Sequence, residues 1–581
     1  MRTRLLVVVL AAVCALAGCA SIPTDSAPQP VQPFNRQVAT SALPTPQNDM
    51  DPDALVRAFL RASADPRDAH ASARAFLTST ASTQWDDRGD TVVLDDASLL
   101  VDDRTDTSVR MRLIADNSGT LKVNGQLLPA NGRIEATMTL KRTSDGWRID
   151  GALPSGVMLD RRQFESSYRL AMLYFPSVAA TNSAGAVTLT ADPRWFYLGN
   201  YTPTDVLTRL IAGPTPELAG AVQNSFPSDA RLNGKVRSVR GEGVTADFSG
   251  LAGLTAAQRN LLAAQVIWTF NDADVAGPYT LTADGAPLLP GHAPQWRISD
   301  VESSNPSAVQ HTSVGLNILR GGSLLAVTDG GATPVAGPLG TDTRLVGAAI
   351  SADGTRVVAV QRSADTPALT LVAGTYGGAV SPITSGTVIS RPSFAANNRT
   401  IWAVVDGKPT QWVLADGGAA RVTVADSSAI GVVARGPIMQ LKVSPDGSRA
   451  AMLVAGQLLF ASIVTHSDGS IALSSPRIAA YNLGNNATGI AWATPTTLMI
   501  VRDSPEAPVA QISISGLPAV GLLSGNLTPP LRSVAANATT VYVADARGVL
   551  RLGSTNGQPD RSWTEVVSAM TPDALPVLPT P

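Results

Sequence analysis

The chain has 581 residues, of which 15% are charged, and a formal net charge of −2. That length allows roughly three or four domains. The near-neutral balance, with no basic block, leaves nucleic acid without an electrostatic footprint. Beyond Leu16 no apolar run is long enough to span a bilayer.

Met1-Arg2-Thr3-Arg4 is a short positive segment, Leu5–Leu16 is almost unbrokenly apolar, and Ala17, Gly18 and Cys19 follow. A basic start, an apolar stretch of this length and small residues before the cut form a secretory signal. The run is shorter than the roughly 20 residues a transmembrane helix needs. Leu16-Ala17-Gly18-Cys19 resembles the bacterial lipobox. The resemblance implies cleavage between Gly18 and Cys19, an S-diacylglycerol and an N-acyl (palmitate-type) chain on Cys19, and the outer face of the cytoplasmic membrane. Cys14 and Cys19 are the only cysteines, and Cys14 leaves with the signal, so no disulfide can form within the mature chain. Residues 20–48 are rich in Pro, Gln, Ser, Thr and Ala. They have too little apolar surface to order themselves, which predicts a flexible tether. The signal peptide is thus 1–18 and the tether 19–48.

Residues 49–180 predict an α+β domain. Asp51 and Pro52 suit a helix start, and Leu55, Val56, Phe59 and Leu60 share one helical face. A second helix is expected over 71–77. Strands follow at 91–94, 108–114, 119–128, 133–142 and 147–149, with Asn124-Gly125 and Asp145-Gly146 as hairpin turns. Helices followed by an antiparallel meander resemble the cone-shaped NTF2-like fold. Trp147 reads as core.

Residues 194–300 predict a second α+β domain. Thr202 caps and Pro203 opens a helix bearing Val206, Leu207, Leu210 and Ile211. Gly213 and Pro214 stop it. Strands are expected at 235–239 and 244–248. Thr255 and Gln258 form a capping box for a helix carrying Leu262, Val266 and Phe270, and a last strand, 279–283, ends at Asp284-Gly285. Leu210-Ile211-Ala212-Gly213-Pro214, Ser225-Phe226-Pro227, Val244-Thr245-Ala246-Asp247-Phe248-Ser249 and the 265–270 helix together resemble the GerM-type domain of exported spore and envelope proteins. That family brings no catalytic residues to carry over.

Residues 301–581 are short β segments separated by Gly, Asp, Asn and Pro. Ser351-Ala352-Asp353-Gly354 and Ser444-Pro445-Asp446-Gly447 each lead into an apolar strand. Ala396-Asn397-Asn398 does so between them, and degenerate copies follow at 496–501 and 539–544. Successive offsets are 44, 49, 48 and 43 residues. Strand texture at a period of about 40–50 residues predicts propeller blades, and the length allows about six. Residues 320–327 are read as an earlier copy.

The search for chemistry is negative. His70, His292, His311 and His466 show no metal-ligand spacing, so no metal is expected. Gly-x-Ser-x-Gly is absent, and Gly241-Glu242-Gly243 lacks a dinucleotide-binding context. The acidic pairs Asp86-Asp87, Asp95-Asp96 and Asp102-Asp103 read as solvated strand ends. Ser-Pro-Asp-Gly also occurs in propellers of serine peptidases, but no α/β-hydrolase half follows. The expectation is a non-enzyme without catalytic residues, and without a cofactor apart from the covalent lipid.

Lipobox, tether, helical-then-sheet domain, GerM-type domain and degenerate propeller, in this order, resemble the actinobacterial LpqB lipoprotein family. That resemblance implies an accessory of the MtrA–MtrB two-component system. It would contact the extracellular domain of the sensor kinase MtrB and modulate signalling over envelope and division. The alternative is a structural lipoprotein that binds glycan or peptidoglycan.

Overall fold

The computed structural model describes residues 43–181, 185–239, 241–308, 312–329, 331–415, 420–555, 558–566 and 573–580. Residues from Leu43 onward form one unit.

The first domain begins with helix α1 (Pro52–Ala62). Its first turn is set by Pro52, while the Asp51 side chain makes no cap bond, unlike the expectation. The second expected helix is shorter than 71–77, only Ala71–Arg74 being helical, and a further, unexpected helix α2 (Ser79–Gln84) starts at Thr78, whose hydroxyl accepts from the Ala81 amide at 3.3 Å. Strands β1 (Thr91–Arg104), β2 (Ser108–Leu121), β3 (Leu127–Pro129), β4 (Arg133–Thr143), β5 (Gly146–Asp150) and β6 (Val157–Asp160) build a sheet in the order β5-β4-β2-β1-β6, with β3 on β2. Alternation along β2 turns Val109, Met111, Leu113 and Ala115 inward. They pack against Leu55, Val56 and Phe59 of α1, with Trp147 in the same core.

After helix α3 (Arg161–Ser167), β7 (Tyr168–Thr181) and β8 (Val187–Tyr197) form a long hairpin. This hairpin places the domain boundary earlier than the expected 180–194. Its Leu173, Phe175 and Leu189 belong to the second domain's core. There β7 lies on helix α5 (Ala256–Asp272), which follows α4 (Pro203–Ile211). Helix α5 starts with the expected Thr255–Gln258 capping box, and the expected Thr202 cap of α4 is also a capping box, completed by Asp205. Gly213 lies at φ 98° just past α4, as its stop role requires. From Leu262 to Phe270 every residue of α5 is buried. Its two buried polar side chains are satisfied: Gln265 accepts from the Ser225 amide at 2.9 Å, and Thr269 accepts from the Tyr174 amide at 3.0 Å. Strands β9 (Arg231–Leu232), β10 (Arg237–Val239), β11 (Gly243–Ser249), β12 (Tyr279–Ala283), β13 (Ala286–Pro287) and β14 (Gln295–Trp296) complete the domain, with β11 and β12 parallel. Val301 is buried in this core and accepts from the Trp268 indole at 3.1 Å. The domain therefore runs past the expected 300.

Six further sheets, each of four or five strands, follow among the described residues. Blades 2 to 6 span 345–386, 393–424, 438–478, 487–521 and 533–565. Their second strands begin at Arg356, Thr400, Arg449, Thr497 and Thr540, spaced as the sequence repeat predicts. These strands are buried almost along their length because each lies between neighbouring blades. The turn before four of them is built alike. In blade 2, Asp353 accepts from Ser351 Oγ at 2.5 Å and from the Thr355 amide at 3.0 Å. In blade 4, Asp446 accepts from Ser444 Oγ at 2.5 Å and from the Ser448 amide at 3.1 Å. Asn397 and Asn537 accept amides in the same way in blades 3 and 6.

Blade 1 differs. Its strands Asn317–Arg320, Ser323–Thr328 and Gly331–Pro334 are joined by Leu575–Val577 from the far end of the chain, paired antiparallel to Asn317–Leu319. Innermost strands touch in succession around the ring, and Leu575–Val577 closes it between blades 6 and 2. The copy expected at 320–327 thus covers the turn between the second and third strands and most of the third strand. No connecting turn precedes the second strand, because its innermost neighbour comes from elsewhere in the chain.

Candidate functional site

Leu127 of β3, Trp195 of β8 and the Ser515–Gly516 turn of blade 5 meet at one junction. Trp195 donates its indole N–H to the Ser515 carbonyl at 3.1 Å. Gly516 lies at φ 89°, and a Cβ there would strike the Leu127 carbonyl. The second domain also rests on blade 4: Arg449 donates to the Ala191 carbonyl at 2.6 Å, Ser462 to the Glu217 carbonyl at 2.7 Å, and Arg477 pairs with Glu217 at 3.0 Å. Its core continues into Phe460 and Trp492 of blades 4 and 5. The Ser-Pro-Asp-Gly turn of blade 4 is consequently buried, with Asp446 1% exposed.

Above this junction the first two domains enclose a cleft of about 1130 Å³. The loop leading to Ala71 and the 83–89 segment form one wall. The end of β8 and one face of α4 form the other. Asp68, Ala69 and His70 all take left-handed backbone angles, φ 50°, 52° and 56°. Three such residues in a row, none of them glycine, are rare and strained. The strain places His70 Nδ1 2.9 Å from Asp87, which Arg74 also contacts at 2.9 Å. Burial opposes ionisation of Asp87, but the His70 hydrogen bond and the Arg74 charge outweigh it and hold the carboxyl below its usual range. Arg74 also lies over Trp85, 5.0 Å from its centroid.

Arg67 ties the two walls together, and Arg209 braces one of them. Arg67 pairs with Asp65 at 2.8 Å and reaches over Tyr197, 5.7 Å from its centroid. Arg209 donates to the Trp195 carbonyl at 2.7 Å and lies 4.3 Å from the Phe196 centroid. Half-buried Tyr201 has its phenol pushed up to about 12 by burial. Gly125, at φ 84°, lets the Asn124-Gly125 turn approach Arg209 closely, where a Cβ would clash with the guanidinium.

The residues singled out by sequence are scattered. Gly18, Cys19 and His311 lie outside the described residues. His292 stacks on Trp296 at 4.0 Å, far along the chain from His70. Gly243 starts β11 after a simple turn. The acidic pairs are partly the solvated strand ends expected, since Asp102 and Asp103 are exposed at the end of β1, but several members are also paired. Arg161 takes Asp95 at 2.8 Å, Arg112 takes Asp102 at 3.0 Å, and Asp87 faces the cleft. No group of three or more His, Cys, Asp or Glu suited to a metal occurs among the described residues. No helix of the described residues is long and apolar enough to cross a membrane. Sequence reasoning missed Arg67, Arg209 and Tyr197, because no local motif marks them.

A multidomain, mostly β chain, with a GerM-type middle domain and a C-terminal propeller fused to it, is what fold and cleft define. Family models match in the same order: "Lipoprotein LpqB, N-terminal domain" over 45–165, "Sporulation and spore germination" over 172–289, and "Lipoprotein LpqB beta-propeller domain" over 322–579. Lipoprotein LpqB of Mycolicibacterium smegmatis is 38% identical and is covered, like this chain, over 100% of its length. Those of Rhodococcus opacus and Mycobacterium tuberculosis are each 36% identical, with 97% of each covered by 98% and 97% of this chain. The chain belongs to the LpqB lipoprotein family. Among solved structures, the nidogen/laminin complex (14% identity, TM-score 0.31, 45% of this chain and 98% of that one) and TolB from Acinetobacter baumannii (15%, 0.30, 43% and 66%) share only a distant likeness.

Proposed function

We propose that this chain is anchored through lipid on Cys19 to the outer face of the cytoplasmic membrane. There it binds the extracellular domain of an MtrB-like sensor histidine kinase and modulates two-component signalling over envelope and division. The cleft carries this reading. It is large, walled by two domains, and lined by Trp, Tyr and Arg, the residue types that dominate binding hot spots. Its Asp87 is already paired with His70 and Arg74, which suits recognition better than proton transfer. Lipoprotein is also the name its relatives bear, and one membrane shared with the kinase would raise the effective concentration of a weak partner.

The test is binding of the mature full-length chain to the kinase's extracellular domain, with crosslinking in cells. Tyr197→Ala and Arg209→Glu should each weaken binding about 30-fold, the hot-spot range of roughly 2 kcal/mol. Neither contact in vitro nor a crosslink in cells would remove the regulatory reading. Sedimentation with purified wall, unchanged by deletion of the kinase, would replace it with glycan binding.

A further inference from the structure

Residues from all six blades line a small channel along the propeller axis, with a volume of about 90 Å³. Most of the lining is short or apolar: Ala348 and Ala349 of blade 2, Ile490 and Trp492 of blade 5, Val534 and Ala535 of blade 6. Two cations stand among these residues. Arg391 enters from the loop before blade 3 and donates to Ser533 Oγ of blade 6, across the ring, at 2.5 Å. Gly347 of blade 2 makes room for its stem: a Cβ there would press on Arg391 Cγ at 3.2 Å. Lys442 of blade 4 donates to the Pro392 carbonyl at 2.7 Å. No Asp or Glu lines the channel among the described residues.

Two like charges confined in a weakly polar channel without a carboxylate are expensive to hold. A structural pin between blades needs neither charge, since a Gln or Ser could donate the same bonds. Each cation spends one donor on the protein, out of five N–H groups for arginine and three for lysine. The remaining donors belong to two residues that line the same channel, whose volume of about 90 Å³ admits one small anion. A fixed guanidinium fork beside a point-charge ammonium is the donor set that recognises tetrahedral or carboxylate oxygens.

We propose that the propeller axis is a binding site for a small oxyanion, held by Arg391 and Lys442. Burial and the Arg391 charge push the Lys442 ammonium down to about 7, and an anion between the two groups would relieve both. The site is separate from the cleft and does not depend on the kinase reading.

Isothermal titration of the mature full-length chain with inorganic phosphate, sulfate and acetate, at constant ionic strength in chloride, tests it. One saturable site is expected, and whether phosphate and sulfate or acetate binds more tightly tells a tetrahedral ligand from a carboxylate. Arg391→Met and Lys442→Met should each lower affinity at least tenfold. If either methionine variant fails to fold, Arg391→Gln and Lys442→Gln serve, since both keep a donor to the same oxygen. Absence of saturable binding to the wild-type chain would overturn the proposal, as would binding that survives the double substitution.

Discussion

Lys442 lies beside Arg391, and its ammonium is pushed from an ordinary value of 10.5 down to about 7, by burial first and the neighbouring charge second. The unfolded chain therefore binds more protons than the folded one between pH 7 and 10. Stability should rise with pH across that window, the destabilising contribution being fully present below it. In chloride buffer, Lys442→Met should raise the melting midpoint at pH 6 and flatten the rise between pH 7 and 10. A midpoint lowered at every pH would instead mark Lys442 as a net stabilising donor. Such residues are illegible in sequence. Arg391 and Lys442 lie in stretches that mark no site, and only the packing of blade 4 against blade 3 brings them together. The turn residues are the opposite case. Asp353, Asp446, Asn397 and Asn537 each fold their own next few amides, so a one-dimensional repeat reports them faithfully.

Strand starts in blades 2, 3, 4 and 6 follow from those local turns. Blade 1 escapes because its innermost strand, Leu575–Val577, sits more than 250 residues from its partner, and no turn chemistry records such a pairing. Likewise, the β7–β8 hairpin is buried along much of both strands and carries Pro176 and Pro193, so neither alternation nor a clean apolar run marks it. Removing residues 573–581 should leave Asn317–Arg320 as an unpaired edge. The truncated chain is expected to lose cooperative β-sheet melting by circular dichroism and to elute as aggregates. Melting at the full-length midpoint would show that the closing strand adds nothing.

The three domains share cores and junctions rather than linkers. Trp195, Leu127 and Gly516 come from three different domains, and the Glu217–Arg477 pair joins two of them. Unfolding of the mature chain should therefore be one transition by calorimetry. Gly516→Ala, which combines an unfavourable φ with a clash against the Leu127 carbonyl, is expected to split it into two and expose the first domain to protease. A single, unshifted transition in that variant would show the junction to be passive. Domain order is legible because each domain has its own local signals. The cleft is not, since its walls come from segments more than a hundred residues apart and contain no motif.

Closure of the ring by the last strand also sets a sequence of events in time. The chain is made from its N-terminus, so the first two domains can fold while the propeller is still a stack of blades without a seal. The middle domain, already seated on blades 4 and 5, then acts as a template on which the unfinished ring waits. Only a chain made through Val577 can complete blade 1. A prematurely terminated copy keeps an adhesive strand edge, which leaves it open to the proteases that clear faulty molecules.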